Sequence, residues 1–283
     1  MSFIDLENLN FVDEKINKAK TLLPAVKASK ANVLISGPTG TGKSHLAKHI
    51  LGAYEYVMID ASEMVEDFDF AAFFAKLSSQ VFLIENVEKL SANQQKSLFE
   101  ALEGRGDSDK IRILSTSRVS LKSLVQKSQF REDLYYRLTV LNLELPSLGE
   151  RVTDIETVAR YLMGVFGIIH QKGDLDLSPE ALEKMKMWNW PGNIRELENV
   201  LERAVIISRG NLIHASEISI EGIETKKESA SFAGMTLSEV EQKLILQTLQ
   251  MTEQNRTRAA ELLGISIRTL RNKINEYRQA GLV

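Results

Sequence analysis

Gly37-Pro38-Thr39-Gly40-Thr41-Gly42-Lys43-Ser44 carries the clearest chemistry in this sequence, because it fits the pattern G-x-x-x-x-G-K-[ST] at every position. Glycines let the backbone wrap closely enough for its N–H groups to point at phosphate oxygens. The start of the following helix adds partial positive charge. Lys43 is placed to reach the β- and γ-phosphates, and the Ser44 hydroxyl to ligate Mg²⁺. The expected ligands are therefore ATP or ADP with Mg²⁺. Without a ligand the same residues would be a glycine-rich turn. The apolar run Ala31 to Ser36 before them and the helical pattern Ser44 to Gly52 after them favour phosphate.

Nucleotide hydrolysis on such a loop also needs an apolar strand ending in an acid that holds the metal. Val81-Phe82-Leu83-Ile84-Glu85-Asn86 is the candidate. AAA+ enzymes, which this pairing of elements resembles, place Asp then Glu here, one for metal and one to polarise the attacking water. If Glu85 takes the metal, Asn86 stands where the base should be, and an amide accepts no proton. If Glu85 is the base, Ile84 stands where the metal ligand should be. Either register impairs hydrolysis more than binding, so ATPase activity is expected to be weak or absent.

Three further blocks give the resemblance a family. Phe130-Arg131-Glu132-Asp133-Leu134-Tyr135-Tyr136-Arg137-Leu138, Leu145-Pro146-Ser147-Leu148-Gly149-Glu150-Arg151 and Trp190-Pro191-Gly192-Asn193-Ile194-Arg195-Glu196-Leu197-Glu198-Asn199 stand in this order along the chain. Over about residues 12 to 215 the chain resembles the bacterial enhancer-binding proteins, the AAA+ activators of sigma-54 RNA polymerase. That resemblance implies that Arg131 and Arg137 are fingers contacting a neighbouring subunit's γ-phosphate, and that Arg195 is the sensor Arg of the helical lid. Taken alone, Arg131 and Arg137 read as surface partners of Glu132 and Asp133, each pair worth little. The departures are equally specific. The family's sigma-contacting GAFTGA loop has no counterpart between Asp60 and Gln80, the sensor position after the fourth strand reads Thr116-Ser117, and the family's receiver or sensory domain is expected to be missing. The expected polymerase partner is accordingly the housekeeping form.

Asn255 to Tyr277 carries a second chemistry. Arg256 to Leu263 reads as a short helix with small Ala259 and Ala260, Gly264 ends it, and Ser266 caps the next. Ile267, Leu270, Ile274 and Tyr277 form an apolar stripe, while Arg268, Arg271 and Asn272 fall on another face. This is the pattern of a helix-turn-helix with its recognition helix, and it resembles the same family's Fis-like C-terminal domain. A solvated face on an ordinary bundle is the plainer alternative. Residues 256–283 hold six basic and two acidic side chains in a chain of net charge −3. Cations neutralise phosphates, while Arg and Asn read guanine and adenine edges. The expected double-stranded DNA contacts are Arg256, Arg258, Arg268, Thr269, Arg271, Asn272 and Lys273.

Five short apolar runs position the first site: Ala31 to Ser36, Tyr56 to Ile59, Val81 to Ile84, Ile111 to Ser115 and Val140 to Leu145. Alternating with helical patterns, they predict a parallel α/β sheet. From about Asp154 the pattern turns helical, with Ser178-Pro179-Glu180 as a helix start. The domains expected are a lead-in (1–30) carrying an amphipathic stretch around Ile16 to Val26, an AAA+ α/β subdomain (31–150), a helical lid (151–220), a linker (221–234) and an all-α Fis-like helix-turn-helix domain (235–283). Thr236-x-x-Glu239 resembles a capping box opening a dimerising helix that runs to Gln250.

With 43% apolar and 26% charged residues the chain is globular, and its near balance of charge excludes a bulk polyanion binder. No cysteine is present, which excludes disulfides, thiol catalysis and Cys-based metal sites. The longest mostly apolar stretch, Tyr161 to Ile169, is far short of the ~20 residues a bilayer requires, and residues 1–10 do not read as a signal peptide, so a cytoplasmic location is expected. The function expected is a DNA-binding transcription regulator whose AAA+ module binds nucleotide mainly to control oligomerisation, as a dimer through the C-terminal domain and a hexamer through the AAA+ module. An active ATPase that activates sigma-54 polymerase is the alternative. A small-molecule P-loop enzyme finds no acceptor-site constellation.

Overall fold

The computed structural model describes residues 9–77, 80–103, 111–220, 236, 241–242, 244–246, 248–249, 252 and 255–279. Two compact units, 1–220 and 221–283, divide the chain.

Within the stretch read as a lead-in, α1 (Glu14–Ala28) buries Ile16, Ala19, Leu23 and Val26 along one face, and Asp13 caps it by accepting from Ile16 N at 3.0 Å. The apolar runs become five strands: β1 (Val33–Ser36), β2 (Val57–Asp60), β3 (Val81–Glu85), β4 (Arg112–Ser117) and β5 (Leu141–Glu144). They form one sheet in the order β2-β3-β4-β1-β5, every neighbouring pair parallel. Strands β1 and β4 are buried at every residue, including the polar Ser36, Arg112, Ser115, Thr116 and Ser117, as central strands of a parallel sheet covered on both faces should be. α1 packs on β5 and on α2 (Lys43–Leu51), the helix that leaves the glycine-rich loop.

The connection from β2 to β3 is short and filled by α3 (Phe70–Ala75), which Asp69 caps. Phe70 and Phe74 are fully buried, and the Phe74 and Phe82 rings lie 4.4 Å apart. Burying each ring stabilises the fold by ~1.5–3 kcal/mol. This stretch, in which the resemblance calls for a sigma-contacting loop, packs into the core instead. α4 (Ala92–Glu103), α5 (Leu121–Gln126) and α6 (Glu132–Leu138) complete the crossovers.

A 3-10 turn (Gly149–Asp154) leads into the lid: α7 (Ile155–Ile169), β6 (Asp176–Leu177), α8 (Pro179–Lys186), α9 (Asn193–Ile207) and β7 (Leu212–Ile213). The parallel β6–β7 pair has too few residues to leave a sequence pattern. Ser178 caps α8 by accepting from Ala181 N at 3.2 Å, and Trp190, fully buried, donates from Nε1 to Met185 O at 2.8 Å.

The C-terminal unit contains α10 (Arg256–Leu263) and α11 (Ile267–Gln279), joined through Gly264 at φ 65°. Its core gathers Ile245, Leu249, Ala259, Ala260, Leu270, Ile274 and Tyr277. Ile267, expected in that stripe, is instead 39% exposed. It opens α11, and side chains lean toward a helix's N-terminus, which carries this one past the packed turn. The linker at 221–234 and residues 237–240 of the expected dimerising helix lie outside the described residues. Among the described residues no helix is long and apolar enough to cross a membrane.

Candidate functional site

The C-terminal edge of a parallel sheet opens a crevice between strand ends, and the glycine-rich loop lies there, between β1 and α2. Gly40 and Gly42 take φ values of 81° and 97°, in the left-handed region where a Cβ is strained. No side chain caps α2, so its first-turn N–H groups remain for an anion. Lys43 is buried and donates to Pro38 O at 2.7 Å, and Thr41 Oγ1 donates to the same carbonyl at 2.9 Å. Burial pushes the Lys43 ammonium down to about 8, with Arg118 and Arg195 adding repulsion and Glu88 and Glu85 opposing it.

A cavity of about 290 Å³ surrounds the loop. Its polar lining includes Lys43, Ser44, Asp60, Glu85, Asn86, Thr116, Arg118 and Arg195, and its apolar lining Phe11, Ile16, Leu145, Val158 and Ile194. A few convergent charges beside an apolar slot suit a ligand with a polyanionic tail and a flat ring. Motif spacing points to the loop, Glu85 and Asn86, and the family resemblance to Arg195. They missed Phe11, Ile16, Asp60 and Arg118, which come from separate segments. Asp60 had one visible signal, an acid closing the second apolar run.

Glu85 ends β3, and its Oε1 is buried without a hydrogen-bond partner among the described residues. With Ser44, which lines the same cavity, it offers the hard oxygen donors that Mg²⁺ prefers. No cluster of three or more metal-ligating side chains forms among the described residues, so phosphate oxygens and water would complete such a shell. Asn86 follows at φ 57°, a conformation that Asn tolerates better than most residues. Its N–H donates to Thr116 Oγ1 at 3.2 Å, its Nδ2 to Asp60 Oδ1 at 2.8 Å, and its Oδ1 accepts from Arg118 Nε at 2.8 Å. Burial would raise the Asp60 carboxyl. Hydrogen bonds from Ser62 and Asn86 and the Arg118 charge outweigh that and hold it below its ordinary value.

The Trp190–Asn199 block closes the lid onto the loop. Asn193, at φ 54°, donates from Nδ2 to Thr39 O at 2.8 Å and accepts at Oδ1 from Leu148 N at 2.7 Å. Ile194 N donates to Gly40 O at 3.0 Å, which sets Arg195 at the cavity wall. A Cβ on Gly40 would lie 2.1 Å from Gly192 O, so glycine alone permits this approach.

Arg131 and Arg137 are not among the residues lining this cavity. Arg131 pairs with Asp133 at 2.6 Å and Arg137 with Glu103, both pairs well exposed. The bland reading anticipated Asp133 but not Glu103.

In the C-terminal unit, Asn255 caps α10 through Arg258 N at 3.2 Å, and Ser266 caps α11 through Thr269 N at 3.0 Å. Arg256, Arg258, Arg268, Thr269, Arg271 and Asn272 are exposed. Lys273 instead bonds Glu241 at 2.8 Å, and the Thr269 hydroxyl lies 2.8 Å from that of Ser266. The exposed cations leave one face of α11 free to meet phosphates and base edges.

Residues 13–148 match the Sigma-54 interaction domain, 149–233 the AAA+ ATPase lid domain and 236–277 the Fis family of bacterial regulatory proteins. The chain is 32% identical to the transcriptional regulatory protein FlbD of Caulobacter vibrioides, over 95% of this chain and 70% of FlbD. It is 30% identical to the regulatory protein AtoC of Escherichia coli, over 89% of this chain and 64% of AtoC. In fold it is similar to NtrX from Brucella abortus in complex with ATP (TM-score 0.67, 21% identity, 95% of this chain and 69% of that one). The Thermotoga maritima RuvB Holliday junction branch migration motor is also similar (TM-score 0.57, 17% identity, 96% and 88%). The two structural likenesses concern fold alone. The Sigma-54 interaction domain runs against the housekeeping polymerase as partner, an expectation built on the missing loop and the Glu85-Asn86 pair. A loop reports on one contact, whereas the match spans the whole α/β subdomain.

Proposed function

This chain belongs to the bacterial enhancer-binding proteins, the AAA+ activators of sigma-54 RNA polymerase, and from that premise we propose that it is a DNA-binding regulator whose AAA+ module uses nucleotide mainly to set its assembly state. ATP or ADP occupies the glycine-rich cavity, with Lys43 on the phosphates and the purine against the Phe11, Ile16, Leu145, Val158 and Ile194 walls. Ser44 and Glu85 hold Mg²⁺, which neutralises phosphate charge. Arg131 and Arg137, exposed on the surface, reach a neighbouring subunit's nucleotide once oligomers form, at the expense of their pairs with Asp133 and Glu103. The C-terminal unit dimerises and binds double-stranded DNA.

Hydrolysis is slow, and it does not remodel sigma-54. The observation that carries this reading is Asn86, whose side-chain amide is tied to Asp60 and Arg118 and whose backbone N–H donates to Thr116, in the position where the family places its acid. The aromatic packing of α3 supports it, because the connection that would reach sigma-54 is spent on the core. In vitro transcription from a sigma-54 promoter carrying the protein's own binding site tests the reading. Nucleotide and DNA binding without ATP-dependent open-complex formation is expected. Open complexes that require ATP and this protein would establish the alternative, a working sigma-54 activator.

A further inference from the structure

Asp60 and Glu85 end adjacent strands in register, so two carboxylates stand side by side at the edge that faces the glycine-rich loop. Neighbouring strands lie ~4.8 Å apart, close enough for the two acids to serve one phosphate group in different roles. Glu85 has a buried, unpartnered oxygen and lines the same cavity as Ser44, as a metal ligand there must. Asp60 is bound differently. Its Oδ1 accepts from Ser62 N at 2.9 Å, from Ser62 Oγ at 2.6 Å and from Asn86 Nδ2 at 2.8 Å. None of the described residues donates to Oδ2. The carboxylate is thus anchored through one oxygen, and the other is left for the cavity that Asp60 lines.

Asn86 does the anchoring from the other side. Its Oδ1 accepts from Arg118 Nε, so the amide bridges a cation and a carboxylate and fixes both in the cavity wall. A cap on the 3-10 turn Ala61–Glu63 would account for the Ser62 bonds alone. It would not account for the Arg118–Asn86–Asp60 chain, and it requires no charge, because an asparagine caps as well.

We infer that Asp60 is the carboxylate that holds and polarises the attacking water, so the acid missing at Asn86 is supplied from the neighbouring strand. The inference rests on nucleotide occupying the cavity as proposed above, and it adds the residue on which turnover depends. In the step, the water oxygen bonds to the γ-phosphorus and its proton passes to Asp60. The bond from that phosphorus to the bridging oxygen breaks with its electron pair leaving on the nucleoside diphosphate. Asp60 then returns the proton to phosphate or solvent.

Single-turnover hydrolysis of γ-labelled ATP with Mg²⁺ by the full chain tests this, beside titration with a fluorescent ADP analogue. Asp60→Asn keeps shape and cap. It should retain nucleotide affinity within about threefold and lose turnover by ~10²-fold or more, the scale of a removed general base. Asp60→Ser, which also caps the turn, should give the same split and stands in if the Asn variant fails to fold. Turnover within about threefold of the parent in a variant that binds nucleotide normally would overturn the assignment. So would a parent chain that binds nucleotide yet hydrolyses no faster than one carrying Lys43→Met. Failure of the parent to bind the ADP analogue would overturn the nucleotide reading itself, and the titration shows that separately.

Discussion

Replacing Lys43 with Met separates what this ammonium costs the fold from what it contributes to ligand binding. Burial pushes its pKa from the ordinary 10.5 to about 8. A fall of that size corresponds to roughly 3 kcal/mol of destabilisation of the charged form, at ~1.4 kcal/mol for each tenfold change in proton affinity. The sign follows from proton linkage. The folded value lies below the unfolded one, so the cost is fully present below about pH 8. It fades as the pH rises toward 10.5, where the unfolded chain also releases the proton. Met has similar length and no charge, so nucleotide-free Lys43→Met should be more stable than the parent at pH 7 by on the order of 1–3 kcal/mol. For a domain of this size that is several degrees in Tm, at ~2–4 °C per kcal/mol. With Mg²⁺–ADP the order should reverse. The parent gains ~2.7 kcal/mol at a ligand concentration of about 100 times Kd, whereas the variant has lost its phosphate contact. Thermal unfolding of both proteins at pH 7 and pH 9.5, with and without Mg²⁺–ADP, reads both the folding cost and the ligand contribution. A variant less stable than the parent at pH 7 without nucleotide, or one stabilised equally by ADP, would refute the argument.

Gly40→Ala should loosen the lid from the loop, since the new Cβ meets Gly192 O at 2.1 Å and sits at φ 81°. An expected loss of ~1–3 kcal/mol in stability and of tenfold or more in ADP affinity would appear in unfolding and titration curves, and unchanged curves would show that the lid does not bear on the loop. Arg271→Ala on the exposed face of α11 should cost ~1–3 kcal/mol for the cognate site and little for random DNA, whereas Arg258→Ala should weaken both alike. Gel-shift titrations on cognate and scrambled duplexes decide between them, and equal binding of both duplexes by Arg271→Ala at parental affinity would remove α11 as the reader.

Local chemistry made much of this protein legible in its sequence. Contiguous residues Gly37 to Ser44 build the phosphate loop from their own backbone preferences, and five apolar runs become the five strands, each with at least one buried residue in the sheet. The small residues of α10, the Gly264 turn and the Ser266 cap likewise act within a few positions of one another, so the helix-turn-helix pattern could be read directly. Strand order and packing decided the rest. Asp60 lies beside Glu85 only because β2 pairs with β3 in that register, and Arg118 reaches Asn86 only because β4 lies alongside β3. Phe11, just before α1, and Ile16, on its buried face, line the cavity because this N-terminal segment packs over the sheet, and Asn193 bridges Thr39 to Leu148 because the lid folds back onto the loop. Spacing rules report neighbours within about a helical turn. Groups brought together from opposite ends of a subdomain share no spacing, and their meeting is set by burial and by the order of strands in the sheet.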